Sequence, residues 1–328
     1  MGNIFFQKGF LVKHKMIKIK MLILPKFEVG EMSGDAPGEA QHYYEAYLAG
    51  GKEYEIKGAF DGNKLYVKDG VALCIAGLAK VNAAVTLMSL LTDDRFDFSD
   101  AYVMSTGCCG AAYELGVMGD VYLATSCIDY DMGHKIDSTE LSGKTFTTWI
   151  HDESYDSSAY KVLNKKLTDK IYEMVKDIKP KTTEKTRACM ASAFDNAEWA
   201  VRDPKVMKGA IVTGDNYWKG MRGHANAVLM AQTYNAPDPY VCSEMEDVAL
   251  AVVMDRMGML DRFIAIRGAV NMDVFMNGAK PEELWAIKTQ DMLTAEDSEE
   301  ASDIFNVEME NIYSVGSTII NAVLDGKL

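Results

Sequence analysis

Short apolar runs, each broken off by a glycine, a proline or a polar cluster, recur along this chain with stretches of helical period between them. This alternation limits the fold more than any other feature. Met21-Leu22-Ile23-Leu24 stops at Pro25, Val71-Ala72-Leu73-Cys74-Ile75 at Gly77, and Ala101-Tyr102-Val103-Met104 at a Gly-rich segment, 105–110. Residues 121–124 follow a turn over 115–120, residues 188–193 and 209–212 read as further strands, and 262–267 as the last. Brief apolar runs bounded by breakers suit strands buried on both faces. Over 80–91 the apolar side chains fall at 81, 84, 85, 88 and 91, a helical spacing. One helix is expected over 160–178 and another after Pro281, with an acidic loop at 296–300. A final amphipathic helix over 302–324 would bury Phe305, Ile312, Ile319 and Val323. Strands alternating with helices predict one α/β domain over 21–328, three layers (α/β/α) around a central mixed sheet. In such folds ligands sit at the carboxyl ends of the strands. The polar segment 27–41 follows the first strand without helical period, and loops of that length inside compact domains are often functional.

The net charge of −14 speaks against nucleic acid and anionic membrane surfaces as partners, because both are held by clustered Lys and Arg. No apolar run approaches the roughly 18 residues that span a bilayer, so no membrane insertion is expected. The six cysteines show no zinc spacing, and Cys108 and Cys109 are adjacent. Reduced, buried thiols in a cytoplasmic protein fit this usage better than a disulfide framework, and no metal or cofactor is expected. The basic stretch 1–20 reads as a poorly ordered N-terminal extension, with Met16 and Met21 as alternative starts.

The stretch Cys242-Ser243-Glu244-Met245-Glu246-Asp247 leads straight into the apolar run 248–253. Helix capping and the attraction of a helix N-terminus for anions account for carboxylates there. Two glutamates flanking a methionine, one helix before Arg267-Gly-Ala-Val-Asn271-Met-Asp273, also suit a polar ligand. In order along the chain stand Leu-Pro-Lys-Phe-Glu-Val-Gly-Glu (24–31), Gly-Leu-Ala-Lys-Val-Asn-Ala-Ala (77–84), Ser-Thr-Gly-Cys-Cys-Gly (105–110), Gly-x-x-Gly-Asp (116–120), Thr-Gly-Asp-Asn-Tyr-Trp (213–218), Glu-Met-Glu (244–246) and Arg-x-x-x-Asn (267–271). Together they resemble the nucleoside phosphorylase superfamily, and within it the purine nucleoside permease branch, from about residue 21 to 275.

The resemblance implies a nucleoside phosphorylase-like fold, a purine nucleoside as ligand, and a homo-oligomer. It assigns Glu246 to the ribose 2′ and 3′ hydroxyls, with Glu244 beside it, Met245 to the sugar face, and Tyr217 or Trp218 to stacking on the purine. Packing alone is an equal explanation for those two aromatics. Thr106 and Gly107 belong to the substrate-binding Gly-rich segment. Asn271 matches the residue that hydrogen-bonds the N7 side of the base, Asn there favouring 6-oxopurines such as inosine or guanosine; Asp273 is the alternative acid. In the hydrolytic branch a glutamate just after the first strand activates water, a role open to Glu28 or Glu31, which are otherwise solvated loop acids. Phosphate as co-substrate is disfavoured: no arginine precedes Arg95, the slot for one falls on Ser105, and an unpaired buried dianion is costly. Lys26 or a neighbouring subunit's arginine would be needed. Two functions follow: cleavage of the N-glycosidic bond, by water rather than phosphate, or nucleoside binding for uptake without catalysis.

Overall fold

Where the apolar runs can be buried decides the architecture. The structure, a computed structural model, describes residues 15–136, 148–276 and 289–328. In chain order the sheet strands are β1 (Met21–Leu24), β2 (Lys52–Glu55), β3 (Lys64–Lys68), β4 (Val71–Leu73), β5 (Tyr102–Ala111), β6 (Val121–Asp129), β7 (Tyr160–Val162), β8 (Val206–Thr213), β9 (Tyr240–Glu244) and β10 (Phe263–Met272). The longer helices are α1 (Lys80–Leu91), α2 (Lys165–Val175), α3 (Glu184–Ala193), α4 (Met221–Thr233), α5 (Asp247–Arg256) and α6 (Thr289–Leu324). The strands join in one mixed sheet, ordered β7-β6-β8-β9-β5-β1-β4-β3-β2, with β10 pairing to both β5 and β6.

That last pairing closes a ring. β10 runs parallel to β5 and antiparallel to β6, β8 runs parallel to β6 and β9, and β9 returns antiparallel to the far end of β5. Five strands without a free edge thus sit at the centre of the sheet. Side chains of β1 alternate between two cores. Leu22 and Leu24 pack with Leu87 and Leu90 of α1 and Leu250 and Met254 of α5, while Met21 and Ile23 share the opposite core with Ile171 of α2 and Ile312 and Ile319 of α6. Helices therefore cover both faces of a central mixed sheet, the expected α/β architecture.

Several elements differ from the sequence reading. The Gly-rich segment 105–110 is strand, not loop, because β10 pairs alongside it from Ala265↔Ser105 to Ala269↔Cys109. Residues 188–193 lie in α3: the run is alanine-containing and follows a Thr183 cap whose hydroxyl accepts from Thr186 N at 3.0 Å, so helix preference prevails. The span 160–178 splits into β7, paired antiparallel to β6, and α2, whose N-terminus is capped by Asn164. The acidic residues 296–300 belong to α6. The hairpin β2–β3, strand β9 and helix α4 have no counterpart in that reading. Residues 1–14 of the expected extension and the helix start at Pro281 lie outside the described residues, whereas Ile17–Lys18 pairs with Phe96–Asp97 and Ile19 is buried.

Glu308, on α6, is fully buried and lies near Asp120; burial first, with the Asp120 charge, pushes its carboxyl well above the usual range. An acid whose folded pKa is raised loses stability as pH climbs above its unfolded value. Glu308→Gln keeps the acceptor used by Asn311 Nδ2 at 2.9 Å. The variant is therefore expected to melt several degrees higher than the parent at pH 8 and equally near pH 4. A gap that does not grow with pH would show that the carboxyl is not neutral in the fold.

Candidate functional site

Six strand ends converge on one cavity of about 240 Å³. Lys26 and Phe27 follow β1, Leu78 follows β4, Cys108 to Gly110 end β5, Asn216 to Trp218 follow β8, Ser243 to Glu246 end β9, and Arg267, Val270 and Asn271 come from β10. Glu39 completes the wall from the long first loop.

That loop carries neither Glu28 nor Glu31, the two acids expected from the sequence, into the cavity. Glu28 turns its carboxylate to the backbone, accepting from Gly38 N, from Ala40 N at 2.8 Å and from Gln41 N at 2.7 Å, and it does not line the cavity. It caps the helical stretch that begins at Gln41 and folds the loop back on itself. Glu31 is exposed. The acid carried inward is Glu39, whose two oxygens accept from Lys26 N and Cys108 N, each at 2.7 Å. Burial, opposed by Lys26 and Arg267, raises its pKa. Gly107 lies beneath it: a Cβ there would stand 2.7 and 2.9 Å from the Glu39 oxygens and 3.0 Å from Arg267 Nη1. Gly107 is thus required for close approach, and Thr106 turns to the Tyr43 hydroxyl (3.2 Å); neither lines the cavity.

Arg267 organises a cluster of buried carboxylates. Its guanidinium is 2% exposed and reaches Asp247 at 2.6 and 2.8 Å, Glu244 at 2.9 Å and Glu246 at 3.1 Å. The Glu244 carboxylate holds the start of α5, accepting from Glu246 N (2.7 Å), Asp247 N (2.8 Å) and the Thr213 hydroxyl. Burial, then the Asp247 charge, lifts its carboxyl to about 7 despite Arg267. Burial would raise Asp247 as well, but Arg267 outweighs it and the net shift is downward. Glu246 is only 1% exposed, lines the cavity, and accepts from Ala79 N at 2.9 Å. Lys26 is buried beside this cluster, donating to Leu24 O, Thr106 O and Ser105 Oγ, whose hydroxyl in turn donates to Asp247; burial, then Arg267, lowers its pKa. Two cations thus stand among four carboxylates, Glu39, Glu244, Glu246 and Asp247.

The other wall is aromatic and amide. Trp218 stacks on Tyr130, ring centroids 4.8 Å apart and 15° from parallel, while Tyr217, 54% exposed, stands at the mouth. Met245 and Asn271 line the cavity between these groups. Asp273 does not line it. Its carboxylate is buried and accepts from Tyr113 N (3.0 Å), pairs with His224 Nδ1 (2.8 Å) and accepts from the Tyr240 hydroxyl (2.9 Å). Asp273 anchors β10 to α4 and is too heavily engaged to serve as the alternative acid. Among the described residues no cluster of His, Cys, Asp or Glu is arranged to hold a metal ion.

The sequence model of the purine nucleoside permease (NUP) family matches residues 18–327. The chain belongs to that family. A relative from Schizosaccharomyces pombe, described as a "Probable purine nucleoside permease", is 26% identical over 222 residues, 60% of this chain and 63% of the relative, so the match spans less than two thirds of that protein. In fold the chain is similar to the 5′-methylthioadenosine/S-adenosylhomocysteine nucleosidase of Neisseria meningitidis, solved with methylthio-immucillin-A. The TM-score is 0.55 at 16% identity, over 92% of this chain and 99% of the other. It is likewise similar to the Helicobacter pylori nucleosidase, solved as a variant with 5′-methylthioadenosine in the active site, with a TM-score of 0.53 at 15% identity, over 92% and 99%. This NUP-family chain therefore has a nucleosidase-type fold. Among its described residues no helix is long and apolar enough to cross a membrane.

Proposed function

We propose that this NUP-family protein binds purine nucleosides in the cavity and cleaves their N-glycosidic bond with water. One observation carries the reading: a buried carboxylate, Glu246, shares a small cavity with the rings of Tyr217 and Trp218, the Asn271 amide and a second buried acid, Glu39. Glu246 grips the ribose diol, each charged hydrogen bond adding about 1.5–3 kcal/mol. Met245 packs on the sugar, Tyr217 and Trp218 flank the base, and Asn271 hydrogen-bonds its N7 side, favouring a 6-oxopurine. Glu39 takes the role expected of Glu28 or Glu31: its raised pKa makes it a stronger base toward water. Water over phosphate is supported by the state of the two cations: Lys26 and Arg267 are already bonded to protein groups, so a phosphate dianion would enter without a cation of its own.

Incubation with inosine, guanosine and adenosine, with and without phosphate, tests this by assay of free base. Release without phosphate is the expected result, and release only with phosphate overturns hydrolysis. Binding without release supports the second reading, capture of nucleoside for uptake, which the family's name favours. Glu246→Ala is expected to weaken inosine binding about a hundredfold while leaving hypoxanthine binding nearly unchanged. Equal losses for the two would remove the ribose assignment.

A further inference from the structure

The first turn of α1 holds two separate parts of the cavity wall. Ala79 N–H donates to Glu246 at 2.9 Å, and the next amide, Lys80 N–H, donates to Asp215 Oδ1 at 2.8 Å. Ala79 adopts φ 72° and ψ 159° to do so, a region that suits glycine and costs other residues about 1–3 kcal/mol. The Lys80 ammonium, only 14% exposed, donates to both Asp129 oxygens at 2.9 and 3.0 Å and to Asp131 at 2.9 Å, and lies 3.5 Å from Asp215. A cation in the first turn of a helix opposes the helix dipole, so helix formation gives no reason for a lysine here. The aspartates do. Asp131 also accepts from Asp215 N at 2.7 Å and from Asn216 Nδ2 at 3.2 Å, and Tyr130, between Asp129 and Asp131, is the ring on which Trp218 stacks. The segment 215–218, which supplies the aromatic wall, is thus tied at its start to groups that all meet at Lys80.

We propose that Lys80 is a positioning residue: with Asp129, Asp131 and Asp215 it latches segment 215–218 over the cavity and so sets the affinity for the purine ring without touching it. This rests on the nucleoside reading for its consequence, but the latch itself can be observed without ligand. Removing the ammonium leaves the buried Asp129 facing Asp131 and Asp215 with only the half-exposed Lys135, 3.3 Å from the other Asp131 oxygen, as a nearby cation, and the repulsion among the three acids opens the segment.

The test compares wild type, Lys80→Met, Asp215→Asn and Lys80→Arg. Amide hydrogen exchange is followed in the unliganded proteins, and inosine and hypoxanthine are titrated calorimetrically. In Lys80→Met the amides of 214–218 are expected to exchange faster by about tenfold or more, and in Asp215→Asn, which keeps Lys80 and the Oδ1 acceptor, by much less, while those at the C-terminal end of α6 keep their rates. In Lys80→Met inosine and hypoxanthine should lose affinity in equal proportion, by about tenfold, and Lys80→Arg should recover part of both effects. Unchanged exchange at 214–218 in Lys80→Met, or faster exchange spread over the whole molecule, overturns the latch. Faster local exchange with undiminished affinity for both probes overturns its role in holding the purine. Faster local exchange in a protein whose wild type binds neither probe leaves the latch standing and overturns the nucleoside reading instead.

Discussion

Arg267→Met is expected to destabilise the protein by about 3–5 kcal/mol, the cost of removing one partner from a buried ionic cluster. The guanidinium meets Asp247, Glu244 and Glu246 and also donates to Cys108 O at 3.2 Å, and none of these carboxylates has more than slight access to water. Methionine fills much of the volume, so the loss would be electrostatic rather than a cavity effect. Without Arg267, burial raises the Glu244 and Asp247 carboxyls with no guanidinium to oppose it, so these two are drawn to the neutral form in the fold and ionise on unfolding. Their folded pKa values then exceed the unfolded ones, and the stability they provide is lost as pH rises. Urea unfolding at pH 5 and pH 8 checks this: the deficit should be larger at pH 8, and Asp247→Asn in the same chain should recover part of it. A deficit under about 1 kcal/mol at both pH values would mean the cluster does not behave as an ionic unit.

Glu39→Gln is expected to slow cleavage by about 10²–10⁴-fold, the usual contribution of a general base, with nucleoside binding largely kept. The amide cannot take a proton from water, whereas Glu246 and the aromatic wall are untouched. Both Glu39 oxygens accept backbone hydrogen bonds, so the variant's melting curve must be recorded beside its rate. Single-turnover release of hypoxanthine from inosine is the decisive readout. A rate within about tenfold of wild type assigns activation of water to another group, whereas a parallel loss of binding assigns Glu39 to the architecture alone.

The same loop shows where local sequence stops being informative. The apolar run 21–24 and its breaker predict a buried strand directly, because four consecutive apolar residues have nowhere else to go. Which acid of the following loop reaches the cavity depends on how the loop closes. Glu28 sits at the offset expected of a base, yet its carboxylate closes the loop by taking three N–H groups from the far side, and this swings Glu39 inward. A glutamate preceded by Gly38, immediately before a helical stretch, is the only trace of this in the sequence. Segment 105–110 illustrates the same limit. Its glycines and cysteines suggest a loop, and only pairing with β10, more than 150 positions later, makes it the inner strand of a closed ring.

What the amino-acid order determined alone was the α/β class, the order of strand ends that meet at the cavity, and the Glu-Met-Glu and Arg-x-x-x-Asn segments that line it. Those properties depend on hydrophobic period and on residues close in the chain. Tertiary structure decided that Glu39 rather than Glu28 or Glu31 enters the cavity, that Asp273 anchors a helix, that Arg267 binds three acids, and that Lys80 gathers three more. Each of these is a balance of charge and desolvation among groups brought together from distant parts of the chain. Such a balance exists only once water has been excluded around them.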